Sequence, residues 1–320
     1  MTAIFSLINN YILSPILRGM LFIFGDNFAV TIFVFTLLVN VIMIPLTIKS
    51  QKSSVQQMRI KPKLDVLKKK YGDDKQKYNA EMQKLYQQEN VSMSGGCLPM
   101  ILRFVFLLSV YYLILQPITY LSGIGKDTVN AVVDFVKTQG MVAANSRSVE
   151  LDVISLVRDS ANFSGADAAI KSAAETINNG ISNINFNFFG IDLTQTPKFS
   201  WNISQADILW VIPLLAFATA MLTSILSLVL QKKTNPDAPS MAGMMLTMPI
   251  VSLVIAFAAP CGLGFYWACS SLISGVLQAV IQYVYGPQRI IAKQRAKAIV
   301  KCYEAEGKTI SAEKNENTTD

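Results

Sequence analysis

Gly95-Gly96-Cys97-Leu98-Pro99-Met100-Ile101-Leu102-Arg103 opens a run that carries no further charge through Phe104-Val105-Phe106-Leu107-Leu108-Ser109-Val110-Tyr111-Tyr112-Leu113-Ile114-Leu115. About 20 apolar residues rising about 1.5 Å each cross a hydrocarbon core, so this run predicts a membrane-spanning helix. An arginine two turns into it needs a reason, because a cation near the centre of such a helix costs about 2.5–3.5 kcal/mol. Two readings meet that requirement. Arg103 lies only about 9 Å past Cys97, so its long side chain can snorkel to the near interface. Alternatively it faces a wet cavity among several helices, and then other spans must carry polar faces.

Composition agrees with a multi-spanning protein. Hydrophobic residues make up 52% of the 320 and charged residues 15%, a balance unlike that of a soluble enzyme. Apolar runs at Phe28–Thr47, Leu98–Leu121, Ile208–Leu230, the shorter Met244–Ala259 and Gly262–Tyr285 give five expected spans. Cys97, Cys261, Cys269 and Cys302 form no CxxC pair and histidine is absent, which argues against zinc, haem and disulfide chemistry. No metal and no cofactor is expected.

Charge sets the expected orientation. Lys49, Lys52, Arg59, Lys61, Lys63, Lys68, Lys69, Lys70, Lys75, Lys77 and Lys84 lie between the first two spans, against Asp65, Asp73, Asp74, Glu81 and Glu89. Such a loop belongs in the cytosol. Lys232 and Lys233, and then Arg289, Lys293, Arg295, Lys297 and Lys301, fall on the same side if the spans alternate. The segment from Ser122 to Asp207 has six basic and nine acidic residues, as an exported loop can. An outside N-terminus and a cytosolic C-terminus follow.

The expected division is an outer interfacial helix at 1–26, spans at 27–48, 95–121, 207–231, 244–260 and 261–286, and a cytosolic helical hairpin at 49–94. An outer, mostly helical insertion at 122–206, a cytosolic loop at 232–243 and a basic cytosolic tail at 287–320 complete it. Within the hairpin, Ser50–Lys70 and Asp74–Glu89 read as helices joined at Tyr71-Gly72-Asp73-Asp74. Within the insertion, Thr128–Thr138 and Ala166–Asn179 read as short helices.

The polar faces that a wet cavity requires are present. Thr36 and Asn40 lie four apart on the first span, although Thr36 can instead bond its own backbone and Asn40 can join two helices. Thr219, Thr223 and Ser227 repeat at intervals of four on the third, where a small-residue packing face is the simpler reading. On the fifth, Trp267, Ser271, Ser274, Gln278 and Gln282 run the full length. The fourth span, with Met248, Val251, Val254 and Phe257, is almost wholly apolar, as is the second apart from Arg103. The expected architecture is therefore all-α and polytopic, with five transmembrane helices around a hydrophilic groove.

These residues carry a resemblance. Pro45-Leu46-Thr47, the basic hairpin with Tyr71-Gly72-Asp73-Asp74, Gly95-Gly96-Cys97-Leu98-Pro99, Tyr111-Tyr112, Met248-Pro249 and Pro260-Cys261-Gly262-Leu263-Gly264-Phe265-Tyr266-Trp267 closely resemble the YidC family of membrane protein insertases. The likeness covers the first 120 residues and those from about Phe189 onward, in the short form of Gram-positive-type bacteria. Ser122–Asn187 is longer than that form usually has.

The resemblance implies a bacterial plasma-membrane insertase, not an enzyme, that passes nascent membrane proteins through a cytosol-open groove. The groove residues it implies are Arg103, Asn40, Thr36, Thr219, Thr223, Trp267, Ser271 and Gln278. The emerging helix would leave along a substrate slide of Phe104, Leu107, Met248 and Val251. Family members usually carry an arginine at the position of Asn40 and a glutamine at that of Arg103, so the groove cation is expected to have changed walls. Implied partners are nascent chains, membrane lipids, the ribosome through the basic tail, and the Sec translocon. A solute or ion transporter using the same cavity is the alternative, though repeated halves and paired broken helices are missing.

Overall fold

The computed structural model describes residues 6–89, 91, 98–143, 146, 148–199, 207–234, 242–286 and positions 292, 296, 299, 300, 302 and 303. The side chains of Arg103 and Phe104 lie outside the described part, as do residues 95–97 and the tail positions Arg289, Lys293, Arg295, Lys297 and Lys301.

In chain order, a π-helical turn Asn9–Leu13 leads into α1 (Ser14–Ile23), followed by α2 (Phe28–Ile42), α3 (Ile44–Tyr71), α4 (Lys75–Gln88) and α5 (Leu98–Leu115). Then come a π-helical turn Ile118–Ser122, α6 (Lys126–Thr138), α7 (Val149–Val157), α8 (Ala168–Ile181), the strands β1 (Asn187–Phe188) and β2 (Ile191–Asp192), α9 (Val211–Thr234), α10 (Ala242–Phe257) and α11 (Cys261–Tyr285). The chain is a helical membrane protein. Two stretches, Ile208–Leu230 and Cys261–Val284, are long and apolar enough to cross a bilayer, and Phe28–Ile42 with Ile44–Ser53 makes a third if that bent pair is one span. Val105–Leu115 and Met245–Phe257 are shorter apolar helices, so the five expected spans appear as two continuous helices, one broken one and two short ones. Pro45 explains the break at Met43: it has no N–H to give the Val41 carbonyl, and its ring crowds that carbonyl.

The chain divides into two units. The first comprises Met1–Ile42, Ile101–Leu228 and Pro239–Val276. Its core forms where Leu13, Leu17 and Leu21, four apart, meet Phe28, Ile32 and Phe35 of α2 and Val110, Leu113 and Ile114 of α5, all nearly inaccessible. The opposite faces stay apolar and exposed: Phe33, Leu37 and Val41 on α2, Leu222 on α9, Leu272 and Val276 on α11. An apolar surface so continuous is one that lipid covers.

The segment between α5 and α9 packs Val129, Val132 and Val136 of α6 with Val153, Ile154 and Val157 of α7 and Ala174, Ile177 and Ile181 of α8. Helix α7 and the β1–β2 hairpin, paired Asn187 to Asp192 and Phe188 to Ile191, are additions to the two helices read from sequence. This segment binds the ends of the spans through backbone. Phe28 N–H donates to Asn185 O at 3.0 Å, Cys261 N–H to Gln195 O at 2.8 Å and Gly262 N–H to Leu193 O at 2.7 Å. Gly262 is required there, since a Cβ would stand 3.2 Å from Leu193 O and 3.3 Å from Ile114.

The second unit holds Met43–Met100, Val229–Ala238 and Leu277–Asp320. Its basic hairpin turns at Asp74, whose carboxylate accepts from the N–H groups of Gln76 at 3.1 Å and Lys77 at 3.0 Å, capping α4. Glu89 receives Lys63 and, at 3.2 Å, Arg59, and the Lys63 bond holds its carboxyl below the usual range. These exposed pairs contribute little stability. At the root of the hairpin, Gln51 Nε2 donates to Gln282 Oε1 at 2.6 Å.

Candidate functional site

The polar stripes of α2, α9 and α11 meet within the first unit. On α2 the Thr36 hydroxyl donates to Ile32 O at 2.6 Å and the Asn40 amide to Thr36 O at 2.8 Å. Asn40 Oδ1 then accepts from the Ser274 hydroxyl of α11 at 3.1 Å. On α9 Thr219 donates to Leu215 O at 2.9 Å and Ala216 O at 3.1 Å, while Thr223 shares its hydroxyl between Thr219 O at 2.9 Å and Ser271 O of α11 at 3.0 Å. Helix α11 is thus the central wall, bonded on one side to α2 and on the other to α9. Gly275 lets α9 approach, because a Cβ there would stand 2.9 Å from Thr223 Oγ1.

Two simpler readings of these residues are therefore realised in the geometry. Thr36 returns its hydroxyl to the backbone, and Asn40 joins two helices. Both are buried, at 1% and 8% exposure. Trp267 is half-buried, one turn before Ser271 and packed against the core. Gln278 is exposed and belongs to the second unit. The wall formed by these groups is neutral and rich in hydroxyl and carbonyl oxygen, so any cation in it must come from elsewhere.

Position 103 is the candidate source. It precedes Val110 by seven residues and Ile114 by eleven, two and three helical turns in sequence. Of the proposed slide, Leu107 is half-buried, whereas Met248 and Val251 are 62% and 51% exposed on the apolar face of α10.

Sequence reasoning missed what covers the starts of α2 and α11. Glu150 of α7, 7% exposed, accepts from the Thr119 N–H at 3.0 Å and the Thr119 hydroxyl at 2.6 Å. Burial pushes its carboxyl above the usual range, against the opposing pull of those bonds. Phe188 stacks obliquely on Phe265 at 4.6 Å and Phe186 on Phe28 at 5.0 Å, covering the starts of α11 and α2. The glycines and aromatics of Gly262-Leu263-Gly264-Phe265 were the available signal for this close approach.

The family model described as 60Kd inner membrane protein matches residues 20–288. Among curated relatives, the membrane protein insertase YidC of Clostridium perfringens is 36% identical over 123 residues, 38% of this chain and 50% of that protein. The protein of the same name from Oleidesulfovibrio alaskensis is 36% identical over 110 residues, 34% of this chain and 20% of the relative. That of Fusobacterium nucleatum is 24% identical over 258 residues, 80% of this chain and 86% of the relative. The matched part thus spans half and a fifth of the length of the first two.

Proposed function

The chain belongs to the 60Kd inner membrane protein family, and from that premise we propose that it inserts nascent membrane proteins into the bilayer. The observation that carries the reading is the polar seam of α2, α9 and α11, in a unit whose helices, α10 among them, also present exposed apolar faces. A substrate's short polar tail gains hydrogen-bonding groups part-way across the membrane, which lowers the penalty for leaving water. Its apolar segment leaves along Leu107, Met248 and Val251 into lipid, driven by the burial of its own surface in hydrocarbon.

Arg103 supplies the attraction for acidic tails in this reading, in a medium where a unit charge acts more strongly than in water. Its spacing of seven and eleven residues from the buried Val110 and Ile114 supports this role. The groove then comprises Arg103, Thr36, Asn40, Thr219, Thr223, Trp267 and Ser271, with Phe104 opening the slide. The excess of lysine in the α3–α4 hairpin puts it in the cytosol with the 287–320 tail, and the 122–206 segment outside. The tail's cations suit ribosomal RNA phosphates, and the Sec translocon is a further partner of the same reading.

Reconstitution into liposomes with a single-span substrate bearing a short acidic tail tests this. Protease protection of the tail, dependent on the protein, is the expected result. Solute flux through the protein without any tail protection would overturn the insertase reading.

A further inference from the structure

The N-terminal helix meets the second apolar helix at two places. Asn9 Nδ2 donates to Ser109 O at 3.2 Å, and Arg18 Nε donates to Tyr120 O at 2.9 Å. Along the first chain these points are nine residues apart, about 14 Å; along the second they are eleven apart, about 16 Å. Helical bonding continues through the second stretch, since Gln116 N–H donates to Tyr112 O and Tyr120 N–H to Gln116 O. Crossing at a right angle would separate the far pair by on the order of 20 Å, more than one asparagine and one arginine together reach. The two helices therefore run side by side in the same direction. Ser109 lies five residues, about 7–8 Å, inward of Ile114, which stands against Gly262 at the outer end of α11. Asn9 thus sits below the outer ends of the spans while Arg18 sits above them, unlike the two ends of a helix lying flat in the interface.

Where the two helices meet at the deeper end, three polar atoms have no partner among the described residues: Asn9 Oδ1, Ser14 Oγ and Ser109 Oγ. Their residues are 0%, 3% and 0% exposed. The π-helical turn carries the Ser14 N–H to Asn9 O, which stacks these two residues one turn apart, and the Asn9 amide donates to the backbone oxygen of Ser109. Tyr120, eleven residues after Ser109 and on the same face, brings its phenol within reach of the Asn9 side chain. Hydrocarbon satisfies none of these groups, and an unpaired buried oxygen is costly. Several buried donors and acceptors gathered along one helix contact are the setting in which proteins hold internal water.

We propose that Asn9, Ser14, Ser109 and Tyr120 form a binding site for ordered water between an inserted N-terminal helix and the second span, apart from the groove of α2, α9 and α11. The water supplies the missing partners, and the contact that steadies the outer half of the slide helix is wet rather than greasy.

Two measurements on the full chain in lipid nanodiscs test this. Ser14→Ala and Ser109→Ala leave the Asn9–Ser109 backbone bond intact. With water bound, each lowers the melting temperature by about 2–4 °C, and the double variant lowers it by less than the sum because both hydroxyls hold one network. With the pocket dry, each deletion removes an unpaired hydroxyl and raises the melting temperature, which overturns the site. Tyr11 and Phe22, 77% and 85% exposed, are eleven residues apart on one helix face. Spin labels at Tyr11→Cys and Phe22→Cys should report the first deeper than the second by roughly 10 Å. Equal depths would overturn the inserted helix.

Discussion

Substituting Gly275 tests whether α9 and α11 form one wall. A Cβ at that position stands 2.9 Å from Thr223 Oγ1 and 3.4 Å from its Cγ2, inside ordinary contact distance. Thr223 cannot swing aside without losing its bonds to Thr219 O and Ser271 O. Overpacking of this kind costs about 1–3 kcal/mol, against a gain of about 1 kcal/mol from alanine's higher helix propensity. Gly275→Ala should therefore destabilise the protein by up to about 2 kcal/mol, lowering the melting temperature by roughly 2–6 °C. In a Thr223→Ala background the clash is gone and only the propensity gain remains, so the same substitution should raise the melting temperature. The assay is thermal unfolding in mild detergent followed by tryptophan fluorescence, run as a double-mutant cycle. Equal changes in both backgrounds would show that the two helices do not touch at Gly275 and would dismantle the seam.

Arg103→Gln should sharply reduce insertion of acidic-tailed substrates while sparing neutral ones, and Asn40→Arg added to it should restore part of the loss; unchanged insertion on Arg103→Gln would leave Arg103 a snorkelling residue. Removing residues 53–88 should impair insertion but leave circular dichroism and melting of the first unit unchanged, and undiminished insertion would exclude the hairpin from substrate handling. Glu150 is raised by burial, so its folded state favours the neutral acid: its contribution is full below the ordinary carboxyl value and lost as pH rises through the shifted one. Compared with Glu150→Gln, the wild type should therefore lose stability as pH climbs from about 4.5, and parallel pH–melting curves for the two would contradict that.

The groove was legible only in part, and the reason is physical. Spacing of four and three along Trp267, Ser271 and Ser274 placed these groups on one helix face, because that periodicity is a property of a single helix. Which face meets which is a property of two, so the bonds from Ser274 to Asn40 and from Thr223 to Ser271 had no signature in either run. The N-terminal segment hid its direction for a related reason. Leu13, Leu17 and Leu21 are buried while Tyr11, Ile12, Phe22 and Ile23 are exposed, apolar on both sides, so no polar face marked which way it lies in the membrane. The two-residue strands of the outer hairpin are too short to alternate, and the motif residues from Pro260 to Trp267, not periodicity, carried the family.

The changed position of the charge is where these levels meet. An arginine at 40 would have to displace the Ser274–Asn40 bond, whereas asparagine bonds both α2 and α11 with neutral groups. With that site used to join two helices, a cation for acidic tails has to enter from a third helix. Position 103 follows Leu98 by five residues, about 7–8 Å along α5. An arginine there would leave the α2–α11 contact intact, since Arg stems lie along apolar surface while the head stays wet. Moving the cation therefore separates two tasks that one residue would otherwise share, holding the wall together and attracting the substrate. That separation predicts different failures: Asn40→Leu should lower thermal stability more than it lowers selectivity for acidic tails, and Arg103→Gln should do the reverse.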